Sequence, residues 1–86
     1  MSAQPDKRKR RLLSKPSDYT FTEAESLLIS LGFKKNKGGK TSGSRLKFTR
    51  STDGRRIYLH KPHPGNELKK YAINDLITAL RDMGEL

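Results

Sequence analysis

Cysteine is absent from the sequence, which removes disulfides and thiolate metal sites from consideration. Long apolar runs are absent too, since none approaches the roughly 18 residues that would span a bilayer. The first residues are charged and form no apolar stretch of the signal-peptide kind, so a soluble, cytoplasmic protein is expected. Hydrophobic residues make up only 31% of the 86. That supports one small domain with a thin core, in which helices cover a single sheet face. Acidic residues are scarce as well: nine stand against 19 Lys and Arg, for a net charge of +10. Such an excess concerns partners and not fold. Nucleic acid, an anionic membrane and an acidic protein are the polyanions to weigh.

Residues 1–16 carry Lys7, Arg8, Lys9, Arg10, Arg11 and Lys15 against Asp6 alone. The run reads either as a solvated arm, here bounded at 1–18, or as a short helix over 7–14 that docks only in a complex and stops before Pro16. The folded domain is expected over 19–86. Residues 20–32 predict a helix. Thr20 with Glu23 fits a capping box, and Thr22 with Glu25 is a second frame. Phe21, Ala24, Leu27, Leu28 and Leu31 fall on one stripe at helical spacing. Gly32 is placed to end the helix in a left-handed conformation. A short strand follows over 33–37. The segment from Asn36 to Ser44, with Gly38, Gly39 and Gly43, reads as a hairpin loop and lacks the P-loop pattern. Residues 70–83 predict a second helix with the stripe Ile73, Leu76, Ile77 and Leu80, and Gly84 as its stop.

Two alternating segments lie between the helices. Over 44–50, Leu46 and Phe48 point one way while Arg45, Lys47 and Thr49 point the other. Over 55–60, Ile57 and Leu59 oppose Arg56, Tyr58 and His60. Ser51-Thr52-Asp53-Gly54 between them is a hairpin signal. A two-residue turn pairs Phe48 with Leu59 and Lys47 with His60. A four-residue loop pairs Leu46 with Leu59 and Arg45 with His60. Either register keeps Arg45, Lys47, Tyr58 and His60 together on the side away from the apolar residues. Residues 61–67 hold Pro62, Pro64 and Gly65 and read as a loop. The expected fold is therefore α+β, in the order α-β-β-β-α, a three-stranded antiparallel sheet with two helices on one face.

Residues 34–61 contain ten Lys and Arg and a single acid, Asp53, whereas both predicted helices are close to neutral. A solubilising surface mixes signs, and a one-sign sheet and loop suits phosphate contacts. Lys35, Lys37, Lys40, Lys47 and Lys61 are the candidate nucleic-acid-contacting cations. Ser44 is a candidate backbone or phosphate contact, and Tyr58 a candidate platform for an unpaired base, as well as an ordinary strand tyrosine. Membrane is disfavoured because no amphipathic helix has a basic face. Two histidines without nearby carboxylates are too few for a metal site, and Glu67 alone does not complete one. No cofactor is expected.

The segments EAESLLISLGF at 23–33, GSRLKF at 43–48, LHKPH at 59–63 and NEL at 66–68, with a last helix ending LRDMG at 80–84, resemble the HicA toxins. The resemblance covers about residues 19–85 and lies in the order and spacing of the motifs. It implies a double-stranded-RNA-binding-like fold, the same order read above from the residues. It also implies an mRNA interferase, a ribosome-independent endonuclease that halts translation. A HicB-like antitoxin would neutralise it, and operator DNA would be contacted only indirectly, through the antitoxin. That family usually carries Gly-Ser-His or Gly-Thr-His at the start of the second strand, with this histidine catalytic. Here the position is Arg45. Arginine cannot act as a proton-transfer base near neutral pH, since its pKa lies above about 12, but it can clamp a phosphate. A branch of HicA-like proteins shows a similar Gly-Ser-Arg together with a His-x-Pro-His-Pro segment like residues 60–64.

Metal-independent RNA cleavage needs a base for the 2′-OH proton, an acid for the 5′-oxygen and a cation on the phosphate. Histidine suits both proton roles, and the chain has only His60 and His63. The expected assignment is His60 as base or acid, Arg45 and Lys47 on the phosphate, and His63 assisting. Both histidines would equally fit plain RNA contact or support of the proline loop. Two other functions fit the residues. One is a non-catalytic double-stranded-RNA-binding module, with Lys69-Lys70-Tyr71-Ala72 similar to the lysine cluster of such domains. The other is a regulatory subunit working through protein contacts.

Overall fold

The computed structural model describes residues 5–36, 45–62 and 65–86, with the side chains of Pro5, Asp6 and Arg45 left outside the description. The elements are α1 (Pro5–Leu13), α2 (Phe21–Ser30), β1 (Phe33–Lys35), β2 (Arg45–Arg50), β3 (Arg55–His60) and α3 (Lys70–Asp82). The strands form one antiparallel sheet in the order β1-β2-β3. From α2 onward the order is the expected α-β-β-β-α.

Each element follows from its residues. Thr20 caps α2: its hydroxyl accepts from the Glu23 amide at 3.1 Å, and the Glu23 carboxylate accepts from the Thr20 amide at 3.0 Å. This is the first of the two capping frames, and it satisfies two backbone N–H groups of the opening turn. Gly32 ends the helix at φ +97°, a conformation that a Cβ would strain. Leu27 and Leu28 of α2 and Leu76 and Leu80 of α3 are buried against Phe33, Phe48, Ile57 and Leu59 of the sheet. The two predicted stripes thus meet the predicted sheet face, except that Leu31 is only partly buried.

The hairpin takes the four-residue loop: Leu46 pairs with Leu59 and Arg45 with His60. Asp53 explains the choice. Its carboxylate holds Arg50 through bonds of 2.7 and 3.1 Å and accepts from the Arg55 amide at 3.3 Å. The turn is therefore closed around an ion pair and is wider than a two-residue turn at Asp53-Gly54. A second tie positions the far end of β3. Glu67 bridges to Thr20, the Leu68 amide donates to the Tyr19 carbonyl at 2.8 Å, and the Phe21 amide donates to the Asn66 carbonyl at 2.7 Å. The segment after the prolines is thereby sewn to the start of α2.

Of the two readings of the N-terminal run, the helical one holds, and α1 packs on the domain. Leu12 is fully buried in the core beside Tyr19. Arg11 donates to Glu23 at 2.7 Å and pairs with Asp18 at 3.3 Å, and Lys9 lies 3.6 Å from Glu85.

The carboxylates in these ties give the fold a sign of pH dependence. The Arg11 hydrogen bond holds the Glu23 carboxyl below the ordinary carboxylate range, helped by the Thr20 amide. Arg50 does the same for Asp53. A lowered pKa in the folded state means that the unfolded chain binds more protons as acid is added. The stabilisation is therefore complete above the ordinary carboxylate range, near pH 4 or so, and is lost as pH falls through the lower folded values. Thermal midpoints measured from pH 7 to 2 should hold steady and then fall below about pH 4. The Glu23→Gln/Asp53→Asn double variant should start lower and fall less.

Candidate nucleic-acid interface

Strand alternation divides the sheet into two surfaces. Phe48, Ile57 and Leu59 are turned to the helices and buried. The pairings Arg45–His60, Lys47–Tyr58, Thr49–Arg56 and Lys34–Thr49 put the intervening residues on the other, open surface. Lys34, Arg56, Tyr58 and His60 are exposed there, and Lys47 and Thr49 are half-exposed. Thr49 donates to the Asn36 side chain, and the Asn36 amide donates to the Lys47 carbonyl at 2.8 Å. These bonds hold the end of β1 against β2.

The acids lie elsewhere. Among the described residues every ion pair is off the open surface: Lys9–Glu85, Arg11–Asp18, Arg11–Glu23, Lys35–Glu25, and Arg50 and Arg55 with Asp53, besides Arg50–Glu85. Lys34, Lys47, Arg56 and Lys61 have no carboxylate within ion-pair distance there. Cations left in this state release bound counterions when they meet phosphate, and they lose no internal partner in doing so.

Of the residues singled out from sequence, His60, Lys47 and Tyr58 lie together, with Arg45 at the register position opposite His60. Lys61 is exposed just beyond the strand. Lys35 is not with them. It pairs with Phe48, on the helix side, where its ammonium sits 2.9 Å from Glu25. Lys37, Lys40, Ser44 and His63 lie outside the described residues.

Two residues of the open surface were missing from the site expected from sequence, Lys34 and Arg56. The signal was available, because a buried Phe33 forces Lys34 outward. Arg50 differs in the other direction. Counted among the ten cations of residues 34–61, it is buried at 8% exposure. It is held by Asp53, Glu85 and the Leu31 carbonyl and lies 4.9 Å from the Phe33 ring centroid. Its pKa is raised by the hydrogen bonds to Asp53 and Glu85, so it is a structural cation.

A groove of about 890 Å³ runs beside the site, lined by Arg56 through Pro62 and by the segment from Glu67 into α3. No helix among the described residues is long and apolar enough to cross a membrane.

No curated protein and no solved structure matches the chain. The family model of the HicA toxin of bacterial toxin–antitoxin systems matches residues 21–84, a span that begins at the first residue of α2 and ends just past α3. It takes in the whole sheet with its open basic surface, and on that extent of agreement the chain belongs to the HicA toxin family.

Proposed function

We propose that the protein is an mRNA endonuclease that arrests translation and growth and is neutralised by a HicB-like antitoxin. The observation that carries this reading is the open sheet surface, where exposed His60 stands opposite Arg45, beside cations that have no acidic partner among the described residues. RNA enters along that surface, with phosphates on Lys34, Lys47, Arg56 and Lys61 and an unpaired base against Tyr58. His60 takes the proton of a ribose 2′-OH. The 2′-oxygen attacks the adjacent phosphorus, and the P–O5′ bond breaks to leave a 2′,3′-cyclic phosphate. The departing 5′-oxygen takes a proton from a general acid, the role open to His63. Arg45 stabilises the charge that builds on the phosphate oxygens. Arg45 stands where the family's usual histidine stands, so in this chain the proton transfer moves across the strand pair to the residue facing it.

The test is induced expression with and without the cognate antitoxin, together with purified protein on mRNA in EDTA. Growth arrest, relieved by the antitoxin, and RNA fragments ending in cyclic phosphate are expected. Protein that shifts duplex RNA in a gel but leaves mRNA whole would establish a non-catalytic double-stranded-RNA-binding module instead.

A further inference from the structure

We infer that the outer edge of β3 and the facing side of α3 form a receptor for an extended acidic segment of the antitoxin, which adds to the sheet as a fourth strand. This rests on the toxin–antitoxin reading above and specifies how the partner is held. β3 is the last strand of the sheet, and no strand lies on its outer side among the described residues. The groove touches consecutive residues from Arg56 to Pro62. Consecutive strand residues point to alternate faces, so a groove that meets all of them follows the backbone edge and not one face. Its other wall is one side of α3, with Tyr71 at its opening and Ala72, Asp75, Leu76 and Ala79 at helical spacing beyond it. Ala72 and Ala79 are half-buried and short, so a chain can approach closely enough for ladder hydrogen bonds. An edge strand opposite a helix is the arrangement in which peptides bind by strand addition.

The charges select the occupant. Arg56, His60, Lys61 and Lys69 line the groove. A second copy of this strand would bring its own Arg55, Arg56 and Lys61 to an edge that already carries them, which disfavours self-pairing, whereas an acidic strand would be attracted. RNA fits less well, because a strand edge presents alternating donors and acceptors, whereas phosphate oxygens only accept. Tyr58 and His60 belong both to the groove and to the open surface. A strand seated there lies against the proposed catalytic histidine, which gives neutralisation a direct physical cause.

Amide hydrogen exchange on the full chain, free and bound to its cognate antitoxin, tests this. Amides within residues 56–61 that face away from β2 are expected to exchange about tenfold or more slowly in the complex. Ala79→Glu, which places a carboxylate in the groove, should weaken antitoxin binding about 100-fold while unbound protein still cleaves RNA. Three results would overturn the inference. These are a complex that forms with exchange of those amides unchanged, slowing by a single-stranded RNA oligonucleotide but not by the antitoxin, and slowing in the toxin alone as its concentration rises. If no complex forms on gel filtration, the antitoxin part of the proposed function fails first and this inference goes with it.

Discussion

His60→Gln is expected to lower RNA cleavage by about 10²–10⁴-fold, the usual contribution of a positioned acid or base, and to abolish growth arrest. The fold should not suffer. His60 is exposed at the end of β3, and substitutions at such positions usually shift stability by less than about 0.5 kcal/mol. Glutamine keeps a polar side chain on the surface but cannot exchange a proton near neutral pH, so RNA binding should persist while the chemistry stops. The informative measurement is cleavage rate beside affinity for the same oligonucleotide. A folded variant that arrests growth as fully as the parent would remove His60 from the mechanism. An equal loss of binding and rate would make it a contact residue.

Leu12→Ala is expected to destabilise the protein by about 2–5 kcal/mol, the range for truncating a buried leucine. Leu12 has no exposed surface and packs in the same core as Tyr19, Leu27 and Leu28, yet it belongs to α1, outside the span shared with the family. The alanine leaves a cavity among α1, α2 and α3, and it weakens the docking that holds Arg11 on Glu23. Denaturant titration should show a lower midpoint with a similar slope. A loss below about 0.5 kcal/mol would mean that α1 rides on the domain without contributing to it. For a domain this small the expected loss is a sizeable share of the total.

The sheet and its two flanking helices were legible because period-two and helical patterns do not overlap in this chain. Arg45 through Thr49 alternates strictly, and Phe21 through Leu28 keeps one helical stripe. The turn was ambiguous because both loop lengths preserve that alternation. The decision fell to the Arg50–Asp53 pair, a contact between residues three apart whose geometry no period encodes. α1 was harder to read because its apolar content is Leu12 and Leu13 amid five consecutive cations. Only the tertiary fit shows Leu12 in the core, with Arg11 neutralised by Glu23 and Asp18. Lys35 and Lys34 differ by one position. Composition counts them alike, but the register sends one to Glu25 and the other to the open surface.

Among the described residues the ion-paired acids lie off the open sheet surface, so an approaching polyanion meets attraction there without local repulsion, and that attraction raises the share of diffusional encounters that reach the sheet. The range of the attraction is set by the screening length, about 10 Å at 0.1 M salt. Ionic strength therefore governs how often the protein arrives the right way round, in addition to how firmly it stays.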